Sequence, residues 1–158
     1  MIFCWWLAMF FVANLVRHLL VGHDPRFDWR NLPVTERLII LLWSTIPLSW
    51  FYEQTDPSPA SFTAGFALLA SGAALTIWAK MSNPWFCPTV QTPGQVVRTG
   101  PYQYVKHPGY IGMLMQSLGT VLILNHSWGY LPLSLYAGVL VWRARKENRI
   151  QATFDEGS

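Results

Sequence analysis

Five apolar segments divide this sequence, and their lengths constrain its fold more than any other feature. A helix needs about 20 predominantly apolar residues to cross the hydrocarbon core of a bilayer, within a range of about 17–25. The second and the fifth segments are shorter than this range, so flanking residues have to extend them. The segments lie at about residues 2–21, 38–52, 60–79, 109–125 and 128–142. The sequence therefore predicts an all-α fold: one polytopic membrane domain, residues 1–158, with about five transmembrane helices.

The composition agrees with a multi-pass membrane protein. Hydrophobic residues make up 52% of the chain and charged residues 12%, whereas a soluble domain is typically about one quarter charged. The formal net charge of +3 is too small to indicate a nucleic-acid partner. We therefore expect membrane lipid, and no nucleic acid, among the partners of the protein.

The distribution of Lys and Arg predicts the orientation of these spans. If the five spans alternate in direction, one side of the membrane receives the loops 22–37 and 80–108 and the tail after residue 142. All 11 Lys and Arg residues lie on that side or at the adjoining end of the first span. Because positive charge marks the cytoplasmic side, the N-terminus is predicted to be outside and the C-terminus cytoplasmic.

The fourth and fifth spans are separated only by His126 and Ser127, which predicts an antiparallel helical hairpin. In such a hairpin the start of the fourth span, near His107, lies beside the end of the fifth span, near Arg143. The loop 80–108 leads into the fourth span at the same level. Its prolines and glycines disfavour a long helix, and its aromatic residues indicate a folded segment that covers or lines a cavity at the cytoplasmic face. The alternative is an interfacial loop that its aromatic residues hold against the membrane.

The run from His107 to Tyr110 begins the fourth span with polar and turn-forming residues. Proline suits the first helical turn, where its missing N–H has no helical partner to lose. The remaining N–H groups and the helix dipole form an anion site. His107 can add a donor, and Tyr110 a hydroxyl or an aromatic face. The alternative interpretation is an N-cap followed by an interfacial tyrosine.

Arg143 and Glu147 are the corresponding candidates at the end of the fifth span. A carboxylate just below the membrane can bind a ligand hydroxyl or ammonium group. The alternative is an i, i+4 salt bridge between the two side chains, with Arg143 as a snorkelling membrane anchor.

Weaker signals come from the loop before the fourth span. Gln91 could bind a purine edge, and the run 94–97 could supply close backbone and an apolar wall, although surface turn chemistry explains these residues equally well. Cys4 and Cys87 are predicted on opposite sides of the membrane, so neither a disulfide nor a metal site is expected.

The motif NPWFCPTVQTPGQVVRTGPYQYVKHPGYIG, followed by a helical hairpin and then RARKEN, resembles the isoprenylcysteine carboxyl methyltransferase family of integral membrane enzymes. It is most similar to the broad bacterial branch of that family. The resemblance covers residues 78–157, whereas the first three spans agree only in hydrophobicity and number. HPxY elements also occur in related membrane sterol reductases.

The resemblance implies methyl transfer from S-adenosylmethionine to a lipophilic or small thiol or carboxylate acceptor at the cytoplasmic face of a bacterial inner membrane. By motif position, Arg143 would face the substrate. The residues implied to bind the cofactor are Gln91, Gly94, Gln95, Val96, Val97, Tyr102, His107, Pro108, Gly109, Tyr110 and Glu147. No catalytic base is assigned, because a thiolate or carboxylate acceptor needs none.

Two departures from the family pattern leave alternatives open. Asn148 stands where a second acidic residue is usual, and the chain ends at FDEGS where relatives continue with tyrosine-rich and arginine-bearing sequence. A shortened enzyme, a homo-oligomer that completes each site with another subunit, and an inactive protein all fit this end. The other function classes are an NADPH-dependent membrane reductase of the sterol reductase type and a non-catalytic membrane partner protein.

Overall fold

The computed structural model describes residues 34–48, 56–83 and 97–155. Within these ranges the protein contains four α-helices and no strand, which confirms the all-α prediction for this part of the chain. The α-helices are α1 (Val34–Leu48), α2 (Pro59–Ser82), α3 (Pro108–Leu124) and α4 (Tyr130–Asp155), with short 3₁₀ helices at Gly100–Gln103 and Ser127–Gly129. The first predicted span, 2–21, lies outside the described residues.

The helices follow four of the five predicted spans, with one large difference at the C-terminal end. The fifth span was expected to end at residue 142, but α4 continues to Asp155. Residues 143–155 include Arg, Lys, Glu and Ala, which favour helix, and contain no Gly or Pro. The predicted polar tail is thus, as far as Asp155, a helical extension of the fifth predicted span.

Among the described helices, α2 alone is long and apolar enough to cross a membrane by itself. Shorter apolar helices cover Arg37–Leu48 and Pro108–Leu124. The five-span topology and the orientation of the N-terminus therefore stay predictions.

Glycines bring α2 and α3 into close contact along a seam, here called the glycine seam, formed by Gly65, Gly72, Gly112 and Gly119. A Cβ atom at Gly72 would lie 2.6 Å from the carbonyl oxygen of Gly112, and one at Gly65 would lie 2.7 Å from that of Gly119. Small residues of this kind let membrane helices approach backbone to backbone. This is the most extensive contact between the described elements, and it fixes the position of α3.

A polar contact supplements the glycine seam. The Gln116 side chain donates from Nε2 to Thr76 Oγ1 at 3.0 Å and to the Gly112 carbonyl at 3.2 Å. Thr76 in turn donates to the carbonyl of Gly72. Such hydrogen bonds between helices stabilise packing where water is scarce.

The hydrophobic core joins α1, α3 and α4. Its buried members are Ile39, Ile46, Val121, Tyr136 and Leu140. Since α4 contributes Tyr136 and Leu140, one face of this helix points into the core and the opposite face is left outside.

The link between α3 and α4 is short, as the sequence predicts. Asn125 ends α3 in the left-handed conformation, with φ 47°, which asparagine tolerates at a helix C-terminus. Its side chain also donates to the Asp56 carbonyl at 3.1 Å. The chain then enters α4 through the 3₁₀ helix Ser127–Gly129, so α3 and α4 form a hairpin that returns to the level of His107.

The 3₁₀ helix Gly100–Gln103 lies against the C-terminal end of α2. Gly100 has a φ of +60°, and a side chain there would collide with Ser82. Pro101 is buried, and its carbonyl accepts from the Tyr104 and Val105 N–H groups. This turn holds Tyr102 beside Asn83, at the end of α2.

Candidate functional site

The side chains of α3 and α4 meet around one carboxylate at the open end of the hairpin. Tyr110 Oη donates to Glu147 Oε1 at 2.5 Å, and Arg143 Nε donates to the same oxygen at 3.0 Å. His107 Nδ1 lies 3.5 Å from the other oxygen, Oε2. The sequence prediction that His107 lies beside the end of the fifth span is therefore confirmed.

His107 joins the two helices through both ring nitrogens. It occupies the N-cap position of α3, but its side chain makes no capping hydrogen bond there. Its Nε2 instead lies 3.1 Å from Asn148 Oδ1, while Nδ1 faces Glu147. The imidazole thus links α3 to α4 and does not cap α3.

The aromatic ring of Tyr110 lies between the two other polar side chains. It stacks on the His107 ring, with centroids 5.4 Å apart and an angle of 15° between planes. The guanidinium carbon of Arg143 lies 5.5 Å from the Tyr110 ring centroid, within the distance of a cation–π contact. Tyr110 therefore contributes its hydroxyl and its ring to the same cluster.

Arg143 is buried, with 5% of its side chain exposed. Its charge is compensated by Glu147, and the i, i+4 ion pair considered from the sequence is present. A buried charge is tolerated when a partner and hydrogen bonds compensate its lost hydration. In this arrangement Arg143 orients the carboxylate, and a direct contact with substrate stays a prediction.

Few backbone donors remain free for a ligand at the start of α3. Pro108 has no N–H, and the N–H groups of Tyr110 and Ile111 both donate to the His107 carbonyl. Among the first-turn groups that the structure describes, this leaves the Gly109 N–H. The helix N-terminus is thus a smaller anion site than the sequence suggested.

Tyr102 approaches the same carboxylate from the preceding loop. Burial raises the pKa of its hydroxyl above 10, a hydrogen bond with the Asn83 side chain opposes the shift, and the negative charge of Glu147 adds to it. The Tyr102 hydroxyl is therefore protonated at neutral pH and remains a hydrogen-bond donor.

A groove of about 310 Å³ runs between α3 and α4. Its polar end contains Lys106, His107 and Tyr110, and the rest of its wall is apolar. The apolar lining residues are Val105, Ile111, Leu114, Leu140, Val141 and Ala144. The volume lies at the lower end of the range for small-molecule sites, about 300–1,000 Å³.

The structure brings together only some of the residues implied to bind cofactor. Pro108 and Gly109 are buried in the first turn of α3, and Val97 is half-buried before the 3₁₀ helix. Four others, Gln91, Gly94, Gln95 and Val96, lie outside the described residues. Ligand binding by any of these residues stays a prediction.

Two residues of the site were not predicted from the sequence. Asn148 was noted only as a departure from the family pattern, yet it contacts His107. Asn83 carried no signal, because its contact with Tyr102 depends on how the loop folds back onto α2. Asn148 could have been found from its position next to Glu147 in the predicted hairpin.

Fold and site together define a helical membrane-type protein with a polar, carboxylate-centred cluster beside an apolar groove. Residues 60–154, more than half of the chain, match the sequence model of the phospholipid methyltransferase family. The chain belongs to this family, which is part of the isoprenylcysteine carboxyl methyltransferase-like membrane methyltransferases. The resemblance found in the sequence is therefore confirmed. No curated protein and no solved structure matches the chain significantly.

Proposed function

We propose that the protein is an S-adenosylmethionine-dependent methyltransferase that acts on a lipophilic acceptor at the cytoplasmic face of a membrane. The observation that carries this proposal is the cluster around Glu147, built by residues 37 positions apart in sequence. Tyr102, His107, Tyr110, Arg143 and Glu147 all fall inside the range that matches a methyltransferase family.

The cluster has the chemistry to hold the amino-acid portion of S-adenosylmethionine. A carboxylate can bind the ligand ammonium, and the Gly109 N–H can donate to the ligand carboxylate. Following the family resemblance, Gln91 and the run 94–97 would hold the adenosine portion.

When bound, S-adenosylmethionine supplies an electrophilic methyl group. The protein has to align this group with the acceptor, and alignment alone can account for much of the acceleration. Tyr110 and Arg143 both bond Oε1 of Glu147, so the carboxylate is held in one orientation with Oε2 towards His107. The site is thus organised by its own hydrogen bonds.

The groove between α3 and α4 supports a lipophilic acceptor that enters sideways from the membrane. Its walls from Ile111 to Leu114 and from Leu140 to Val141 are apolar, and its polar end is Tyr110. An acceptor with an alkyl chain along these walls would place its polar group near the cluster. The family description adds a phospholipid head group to the thiol and carboxylate acceptors considered from the sequence.

Calorimetry of the full chain in detergent with S-adenosylhomocysteine, and separately with NADPH, tests the cofactor. We expect binding of the first and none of the second. Binding of NADPH alone would favour a reductase, and failure of both ligands would favour a non-catalytic partner protein. Transfer of radiolabelled methyl groups to lipid, thiol and carboxylate acceptors then identifies the acceptor class.

A further inference from the structure

Helix α4 carries a second surface on the face opposite the site, which we call the outer stripe. Its members recur at spacings of three, four or seven residues, which places them on one side of a helix. They are Leu131, Leu135, Trp142, Arg145, Lys146 and Arg149, and all are exposed. Tyr136, Leu140 and Arg143 are buried on the other side. The outer stripe therefore faces the surroundings of the protein.

The outer stripe changes character along its length. Leu131 and Leu135 are 60% and 54% exposed, and a Cβ at the neighbouring Gly138 would meet nothing within 4 Å. Trp142 follows at 50% exposure, and three cations come after it. The order is apolar, then aromatic, then basic.

The positive charge of the outer stripe is not neutralised by the nearby carboxylate. Glu147 lies within the same two turns of α4, but it bonds Tyr110 and Arg143 on the inner face. Lys146 Nζ instead lies 5.5 Å from the Trp142 ring centroid, in a cation–π contact. The three cations thus form a positive patch beside the aromatic ring of Trp142.

We infer that the outer stripe binds the head groups of anionic phospholipids. Leu131 and Trp142 are about 16 Å apart along the helix at ~1.5 Å per residue, so Leu131 and Leu135 both lie within a ~30 Å hydrocarbon core when Trp142 marks its cytoplasmic edge. Tryptophan prefers the boundary between hydrocarbon and head groups. Arg145, Lys146 and Arg149 then lie about 5–10 Å beyond Trp142, at the depth of the lipid phosphates.

The continuity of the outer stripe favours lipid over a protein partner. An acidic protein would complement the cations, but it would leave the exposed leucines and the tryptophan unexplained. A phospholipid complements all three parts, with its chains against Leu131 and Leu135 and its phosphate against the cations. This inference does not depend on methyl transfer.

Spin-labelled phosphatidylglycerol and phosphatidylcholine, added to the full chain reconstituted in phosphatidylcholine vesicles, provide the test. Electron paramagnetic resonance reports the association constant of each lipid at the protein surface. We expect the wild type to prefer phosphatidylglycerol, and this preference to fall with salt, since ~0.1 M salt screens charges beyond about 10 Å. Each cation near an anionic surface contributes roughly fivefold, so Arg145→Gln/Lys146→Gln/Arg149→Gln should reduce the preference at least about tenfold.

Two matched variants control for net charge and folding. Arg145→Lys/Arg149→Lys keeps the charge and should keep the preference. Arg98→Gln removes one exposed cation away from the outer stripe and should change the preference less than Arg145→Gln does. Circular dichroism checks that each variant retains its helix content.

Two results would overturn the inference. One is an unchanged preference in the triple variant, and the other is an equal loss on Arg98→Gln and Arg145→Gln. If the triple variant instead loses binding of an acidic peptide in detergent while its lipid preference persists, the outer stripe is a protein-binding surface.

Discussion

Glu147 is the residue on which the site depends most, because it bonds side chains from both helices of the hairpin. Its Oε1 accepts from Tyr110 and Arg143, which leaves Oε2 towards His107. One carboxylate oxygen thus has a structural role, and the other is the one that we propose binds the ligand ammonium. Substitutions that separate charge from shape can distinguish these two roles.

Glu147→Ala should weaken S-adenosylhomocysteine binding at least several-fold, measured by calorimetry, because it removes the acceptor proposed for the ammonium group. Glu147→Gln keeps the size and an oxygen acceptor for Tyr110 and Arg143, so it should disturb folding less while still lowering affinity. Unchanged affinity in both variants would remove Glu147 from the cofactor site.

Tyr110 can be dissected in the same way. Tyr110→Phe loses the 2.5 Å hydrogen bond to Glu147 but keeps the ring that stacks on His107, whereas Tyr110→Ala loses both. We expect Tyr110→Ala to weaken S-adenosylhomocysteine binding at least several-fold and Tyr110→Phe to have a smaller effect. Equal, wild-type affinity in the two variants would contradict the assignment.

Tyr102 gives the site a pH dependence at alkaline pH. Its pKa is raised in the folded protein by burial, and further by the charge of Glu147, although the Asn83 hydrogen bond opposes the shift. The folded state therefore keeps this proton at pH values where the unfolded chain loses it, and the stability contributed by Tyr102 is lost as pH rises above about 10. Melting temperatures at pH 9 and pH 11 should differ more for wild type than for Tyr102→Phe.

At the scale of helices, the glycine seam is the contact most sensitive to added volume. Gly72→Ala would place a Cβ 2.6 Å from the Gly112 carbonyl oxygen, and overpacking of this kind costs about 1–3 kcal/mol. Gly138→Ala is the matched control, because its Cβ meets nothing within 4 Å and alanine favours helix by about 0.5–1 kcal/mol. Melting in detergent should show a lower midpoint for the first variant and an unchanged or higher one for the second.

The helices that the sequence predicted best are those bounded by clear breaks. Pro59 and Pro108 mark the starts of α2 and α3, within one residue of the predicted spans. The fifth predicted span belongs to a longer helix, because the apolar pattern stops at Trp142 while the helical backbone continues through charged residues to Asp155. Hydropathy indicates which part of a helix suits an apolar environment, whereas helix propensity influences where the helix ends.

The sequence predicted which helix ends meet at the site, but it did not predict which atoms are in contact. The short link at His126 and Ser127 was enough to bring His107 to the level of Arg143. The contact between His107 and Asn148 depends on the rotation of α4 about its own axis, which the length of a link does not determine. That, among the described first-turn groups, only the Gly109 N–H is left for a ligand likewise depends on hydrogen bonds that a sequence pattern cannot resolve.

At the scale of the whole molecule, the side on which Lys and Arg lie predicts the orientation in the membrane. In a Cys4→Ser/Cys87→Ser background, Arg98→Cys should react with a membrane-impermeant maleimide only in inside-out vesicles, because the loop 80–108 is predicted to be cytoplasmic. Labelling of this residue in intact cells would reverse the proposed orientation. Lysed cells provide the control for reactivity of the thiol.

The glycine seam also determines which half of the site is able to move. Its contacts join backbone to backbone, so no side chain there can change rotamer and let α3 slide along α2. Helix α4 packs on α3 much less extensively. We therefore expect His107 and Tyr110 to keep their positions when a ligand binds, and α4, which carries Glu147, to make any movement that closes the site.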